Sequence, residues 1–394
     1  MLNKSSRPDT DKQRQRAASR LVVLALCVAV AAAALAELRR WSSDRSEARS
    51  PARIETAAKG DVRLTKLADD LIPMPAGVPS AHASTLAALP GGALMAFWWA
   101  GSRESGPDVK VYSSRLEKGV WSATREVATR ESLGQALGFG IRRIGNPVAW
   151  TDRNGKVHLY VTTTGLGGWA ASRIVHLVST DQGDNFGVLR VLPMSPMFNT
   201  SVLIRTTPVA LVDGGWWLPA YFELGIKYPI LMAFDDKGDP RWLTRIGTRT
   251  TTLQPALAAT SGTEAHAWMR DAGNEHKVQH AISHDAGASW ADQPPLEMGN
   301  HSSSVAAYRL THGGMLMLNN HVRPGDSARN VLRLSHSNDA ASWKQVLDVV
   351  QGNNDEEFSY PALQQIGDEL HITYTSRRQA IGHQVYRISY ESSQ

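Results

Sequence analysis

Cysteine is almost absent. The 394-residue chain has one, Cys27, inside an N-terminal apolar run, so the body of the protein forms no internal disulfide. Clustered basic charge is absent too. The net charge of +5 resides in residues 1–40, with eight Lys or Arg against three Asp or Glu; the other 354 residues hold 34 of each sign. A neutral body without a basic stripe excludes nucleic acid as the expected partner. None of the thirteen histidines stands in an HExxH pattern or beside acids at ligand spacing, so neither a metal nor a cofactor is expected. "GLGGW", residues 165–169, lacks the Lys-Ser/Thr and the following helix of a phosphate loop. No long amphipathic helix occupies the body.

The apolar run itself, "LVVLALCVAVAAAALA", covers residues 21–36 after a basic leader. Sixteen residues are slightly short for a relaxed membrane span and long for a signal core. The expected organisation is a basic cytoplasmic leader (1–20), a signal anchor or signal peptide (21–38), a polar linker (39–74) and one large domain (75–394). The leader and run place that domain on the exported side, periplasmic or extracellular, with the inner membrane as a partner through residues 21–38.

Two repeats organise the large domain. "SHDAGASW" (283–290) places Ser, Asp, Gly and an aromatic at positions one, three, five and eight, and "STDQGDNF" (179–186) repeats the spacing. An imperfect copy runs from Ser335 to Trp343, and a worn one, "SRLEKGVW", keeps Ser114 and Trp121. Asp and Gly two apart favour a tight turn, and each copy follows an alternating, strand-like run. The second repeat is a hairpin broken by a glycine turn, at Gly92, Gly155, Gly215, Gly262, Gly314 and Gly367, with intervals of 63, 60, 47, 52 and 53 residues. Six such units of about four strands predict an all-β fold, a six-bladed β-propeller of four-stranded antiparallel blades preceded by an apolar helix.

In that architecture first strands begin, second strands end and third strands begin at one mouth of the central channel. The residues expected at this rim are His82, Asn146, Arg205, Gln254, Ser303 and Tyr360 from first strands. Second strands add Arg103, Glu223, Arg270, Asn320, Arg377 and Arg378, and third strands add Asp108 and Arg329. Converging arginines repel unless an anion lies between them, and a guanidinium fork matches a carboxylate. The simplest ligand is an acidic sugar or another small carboxylate. Arg377 and Arg378 are adjacent, so alternation turns only one of them inward.

The chain resembles the sialidase superfamily, in particular its bacterial branch with BNR-type repeats, over roughly residues 75–392. "SHDAGASW" looks like that family's Asp box. The resemblance implies that Arg270 in "AWMRD" and Arg329 in "SARNVLRLS" bind a substrate carboxylate. It implies that Tyr360 in "FSYPAL" is the nucleophile and that Asp108 in "GSRESGPDVK" is the acid/base, with Glu104 in reserve. Two positions depart from the family. His82 stands where it has an arginine, and Gln254 stands where it has the glutamate that polarises the tyrosine. Arg103, Arg205 or Arg377 are the expected replacements for the first, and Glu223 for the second, with His82, Asn146 and Gln254 as further substrate contacts.

The expected function is a sialidase-like exo-glycoside hydrolase acting on a terminal carboxylate-bearing sugar of a glycan or glycoconjugate. Two alternatives stand beside it: a glycan-binding propeller without turnover, and a lyase or hydrolase on a uronate in which Tyr360 is a base assisted by His82.

Overall fold

The computed structural model describes residues 10–43, 50–54, 60–194, 199–322 and 329–391. The N-terminal element is a helix, Thr10–Ser43. Its stretch Gln13–Ala36, 24 residues, contains an 18-residue window of mean hydropathy 2.3 and is by length and composition enough to cross a membrane. The helix continues beyond the 16-residue apolar run at both ends, through residues that are mostly polar or charged.

Six antiparallel sheets form the remainder. Their first strands line the central channel: Ser80–Ala88, Arg143–Thr151, Val202–Ile204 continued by Val209–Ala210, Thr252–Ala259, Ala306–Arg309 and Phe358–Ile366. First strands of neighbouring blades pack on one another around most of the axis, and between blades three and four Trp216–Leu224 and Ile226–Phe234 meet Thr252–Ala259 instead. Every one of the six expected glycine turns joins a first strand to a second strand. This is the six-bladed β-propeller that the spacing predicts.

The start of the domain differs from expectation. Residues 62–71, expected within a linker, form the outermost strand of the sixth blade. Val62 pairs with Tyr390 and Leu71 with Gly382, with one bulge between Lys66 and Ala68. The chain thus closes the ring by joining its early and late segments in one sheet. "VRLTKLADDL" reads poorly as a strand because an outermost strand is solvated along most of its length, and only Val62 is buried. Part of the remaining linker is also ordered. Ala52 N–H donates to the Gly262 carbonyl (2.9 Å) and Arg53 N–H to the Ala210 carbonyl (2.8 Å), which lays residues 51–53 across the glycine-turn ends of blades three and four.

The Asp-box turns are staples between blades. In the turn at 283–290, Ser283 Oγ accepts from Gly287 N–H (2.9 Å), and Asp285 accepts from Ser289 N–H (2.8 Å) and Ser289 Oγ (2.6 Å). The turn therefore satisfies its own polar groups, and its apolar part presses on the preceding blade. Phe186 of blade two meets Phe97 of blade one edge-on (5.7 Å), Trp343 of blade five meets Trp268 of blade four (5.2 Å), and Trp121 of blade one donates to His383 of blade six (3.2 Å). Gly287 has φ +79° and lies against Trp217, Leu231 and Trp242 of blade three, so a side chain there meets both backbone strain and a neighbouring blade. The imperfect copy is anchored by Ser337, not Ser335: Ser337 Oγ donates to Asp339 (2.9 Å), which leaves this copy one residue short instead of one too long.

Trp290→Ala removes the buried aromatic of the complete turn. The expected result is a loss of about 3 kcal/mol of stability in urea unfolding, with ligand binding at the channel mouth unchanged. A loss below about 0.5 kcal/mol, the usual size for surface substitutions, contradicts the staple role.

Candidate active site

Backbone irregularity, not simple alternation, aims the rim side chains. The ladder slips between His82 and Thr85, Gly145 and Pro147, Leu253 and Ala256, and Ser359 and Ala362. At these bulges Ala83, Asn146, Gln254 and Tyr360 adopt positive φ (56°, 35°, 51° and 52°). A bulge re-aims a side chain at the expense of local strain. Three of the four are followed by proline (Pro147, Pro255, Pro361), which has no N–H to lose from the broken ladder.

Tyr360 stands at the centre of the rim. Its ring lies 4.2 Å from the ring of His82. The guanidinium of Arg205 lies 5.2 Å from its centroid and that of Arg329 5.9 Å from it. Its hydroxyl accepts from Arg270 Nη1 at 3.4 Å, and the same nitrogen donates to Gln254 Oε1 at 3.5 Å. Arg270 is held from below by Ser302 Oγ, which accepts from Nε (3.1 Å) and Nη2 (3.0 Å). Gln254 Nε2 donates in turn to the Tyr221 hydroxyl (3.4 Å). Burial keeps the Tyr221 phenol protonated, raising it above its ordinary range.

Arg329 faces Arg270 across Ser302. Its Nη2 donates to the Ser302 carbonyl (3.1 Å) and its Nη1 to Glu357 Oε1 (3.0 Å). The other oxygen of Glu357 accepts from Arg378 Nε (2.7 Å), and Ser359 Oγ donates to Oε1 (2.6 Å). Burial works against the charge of Glu357. The hydrogen bonds from Arg378 and Ser359 and the charge of Arg329 outweigh it and hold the carboxyl at about 2. Arg378 Nη1 also donates to Glu104 Oε2 (2.5 Å) on the loop between the second and third strands of blade one.

The structure thus brings together Tyr360, Arg270, Arg329, Gln254 and His82. His82 is buried, with both ring nitrogens unpartnered among the described residues. Burial first, then the charge of Arg378, lowers it to about 3, so the ring is neutral at ordinary pH. Asn146 is half-buried at its bulge.

Four other expectations change. Arg205 crosses the channel and donates from Nη1 to the Ser84 carbonyl (3.1 Å) and from Nη2 to the Pro361 carbonyl (3.0 Å) of blades one and six, so it braces the floor under Tyr360 and, being buried, presents no exposed fork to a ligand. Arg377 turns outward to Glu356 (2.6 Å), and it is Arg378 that points to the cluster. Both sit in the turn Ser376–Gln379 at positive φ (52° and 58°). Such a turn favours Asn-Gly and costs other residues roughly 1 kcal/mol each. Glu223 does not reach Tyr360; it lies one step outward on the face of Tyr221, the residue that meets Gln254. Arg103 is exposed beside Asp108 and contributes only its charge there.

Asp108 is exposed on the 102–109 loop. It accepts from Ser102 Oγ (2.7 Å) and Ser102 N–H (2.8 Å), and these bonds hold it below the ordinary carboxylate range. Trp169, from the "GLGGW" loop, donates to Ser105 Oγ (3.2 Å) and packs beside Tyr221 and Leu253, so that loop walls the rim. Ser302 and Glu357 are the participants that sequence reasoning left without a role, and Arg378 was placed at the rim without being told apart from Arg377. Ser303, the expected rim serine, is buried below Ser302. Two adjoining cavities of 230 and 360 Å³ open at the opposite, glycine-turn end, lined by Trp150, Thr207, Pro208 and Tyr308, and contain none of the residues around Tyr360.

A family model for BNR repeat-like domains matches residues 92–372. Among solved structures, the fold is similar to a protein of unknown function from Dyadobacter fermentans, with 14% identity over 83% of this chain and 99% of that one, and a TM-score of 0.65. It is also similar to the Hadza microbial sialidase Hz136, with 14% identity, 78% of this chain, 66% of that one and a TM-score of 0.66. The Trypanosoma rangeli sialidase in complex with sialic acid is similar at 14% identity, 84% of this chain, 59% of that one and a TM-score of 0.58. This chain therefore spans roughly two thirds of the length of those two sialidases or less. No curated protein matches the sequence significantly.

Proposed function

The chain belongs to the family of BNR repeat-like domains, and from that premise we propose that it is an exo-glycosidase that releases a terminal carboxylate-bearing sugar, sialic acid or a related acid, from a glycan. The observation that carries this reading is the contact of Arg270 with the Tyr360 hydroxyl, with Arg329 over the same ring. Among the described residues Arg270 has no carboxylate as a hydrogen-bond partner, which makes its positive charge available to a ligand beside the phenol.

In this reading Arg270 and Arg329 grip the sugar carboxylate and set the anomeric carbon against Tyr360 Oη. A neutral phenol suits that carbon, because a carboxylate nucleophile would be repelled by the carboxylate already attached there. Bond formation from Oη breaks the bond to the leaving oxygen, which takes a proton from Asp108. Water then attacks the same carbon, with Asp108 as base, and Tyr360 leaves. The hydrogen bonds from Ser102 favour the base form of Asp108, so the first step requires their release. The phenolic proton departs to water at the rim, since the Gln254 amide is no base, and turnover is accordingly slow. We place this chemistry on the exported side, with the N-terminal helix as signal or anchor.

A second reading, a glycan-binding propeller without turnover, is favoured by the same Gln254. Incubating the full chain with a fluorogenic α-sialoside separates the two. Release of free sialic acid supports the enzyme. Binding of sialic acid without release supports the binding module, and an unsaturated product absorbing in the ultraviolet supports lyase chemistry. Failure to bind any acidic sugar overturns the site assignment. Arg270→Ala is expected to raise KM about tenfold or more, the usual cost of losing a charge-assisted contact.

A further inference from the structure

We propose that Arg378 is a specificity-determining residue of this site, the guanidinium that selects carboxylate-bearing ligands, and that Glu104 is the carboxylate such a ligand displaces from it. The inference rests on the reading of the rim as an acidic-sugar site and names a residue of it.

Three observations converge. The first is placement. The Arg378 carbonyl accepts from Ala81 N–H (3.0 Å), which sets the residue beside His82 and hence beside Tyr360. The second is orientation. Glu357 binds Arg329 with one oxygen and Arg378 with the other, so one buried carboxylate fixes both guanidinium groups at a common site. The Glu357 bond takes Nε of Arg378, leaving its Nη groups free to face outward. The third is strain. Arg377 and Arg378 occupy the two left-handed positions of a turn that favours small residues. Such strain is retained where the side chain has work to do. Arg377 spends its side chain on Glu356 in solvent, which leaves Arg378 as the residue whose side chain is directed at the site.

Among the described residues, Glu104 is the sole carboxylate on the outward Nη1. It is exposed and belongs to the same loop as Asp108. A ligand carboxylate arriving at Arg378 replaces Glu104 charge for charge. The exchange leaves the electrostatic balance of the cluster unchanged and detaches the 102–109 loop from the clamp. A merely structural Arg378 would hold Glu357 in place without discriminating between charged and neutral ligands.

Calorimetric titration of the full chain with sialic acid and with its methyl ester, which lacks the negative charge, tests the assignment. Wild type is expected to bind the acid at least tenfold more tightly than the ester. Arg378→Ala is expected to lower that preference at least fivefold while ester affinity stays within about twofold, and Arg377→Ala to leave it unchanged. Glu104→Gln is expected to tighten acid binding severalfold and leave the ester alone. An unchanged acid-to-ester ratio in Arg378→Ala overturns the inference. If that variant does not fold, unchanged acid affinity in Glu104→Gln overturns it instead. Equal binding of acid and ester by wild type removes the inference but keeps a sugar site, whereas binding of neither removes the acidic-sugar reading itself.

Discussion

Tyr360→Phe is expected to abolish sugar release, by at least roughly 10³-fold in kcat, and to leave the affinity for sialic acid within about threefold. The substitution keeps the ring that packs at a tilt against His82 and faces the Arg205 and Arg329 guanidiniums, and removes only Oη. Arg270 stays in place because Ser302 Oγ holds its Nε and Nη2. In the proposed mechanism the carboxylate grip therefore survives the loss of the nucleophile, and binding separates from turnover. The companion change runs the other way. Gln254 Oε1 and Tyr360 Oη share Nη1 of Arg270. Gln254→Glu puts a general base on that shared nitrogen, and general-base assistance contributes roughly 10²–10⁴-fold where it operates. An increase of tenfold or more in kcat is expected, with the gain lost again in the double variant with Tyr360→Phe. Steady-state release of a fluorogenic leaving group reads all three. Full activity in Tyr360→Phe removes this residue from the chemistry.

The propeller was legible because its determinants are local. A glycine turn every 47–63 residues and an Asp-Gly turn after several third strands each follow from short-range backbone chemistry. The rim was legible only in part, because its side chains are aimed by departures from alternation. Tyr360, Arg270 and Arg329 do meet, as the strand-end geometry implies. Arg378 was not separable from Arg377, since both lie in the turn and not on a pleated strand. Glu357 reads as part of the acidic run "DEE" until its two arginine partners, 28 and 21 residues away, are brought to it. One trace of the bulges was in view: Asn-Pro, Gln-Pro and Tyr-Pro open three first strands, and a proline there marks a broken ladder. The closing strand at 62–71 escaped notice for the opposite reason. It is solvated, so burial imposes little pattern on it.

Acidification from pH 7 to pH 5 is expected to remove several kcal/mol of stability, before the carboxylates of the site titrate. Blades two, four and six each contain one histidine pair in the same diagonal register. His158 and His176 meet at 2.9 Å, His266 and His280 at 3.0 Å, and His371 and His383 at 3.1 Å. Each bond joins Nδ1 of one ring to Nε2 of the other and needs a lone pair on one of them, so a doubly protonated pair has none. A carboxylate, Asp152, Glu264 or Glu369, lies within 3.7 Å of the first ring. Burial nevertheless dominates and lowers all six rings: His280 and His371 to about 4, His383 to about 3. His82 behaves alike. The unfolded chain takes up protons near pH 6.5, while the fold refuses them until pH 4 or 3. Stability is therefore full above 6.5 and falls as pH drops toward the folded values, by about 2 kcal/mol per such histidine at pH 5. Four of them approach the total stability of an ordinary domain, about 5–15 kcal/mol. Urea midpoints at pH 7.5, 6 and 5 measure the slope, and His383→Gln, which keeps a neutral polar group in place, should flatten it. A free energy of unfolding unchanged between pH 7 and pH 5 would show that these rings carry their protons inside the fold, and that the paired geometry tolerates the charge.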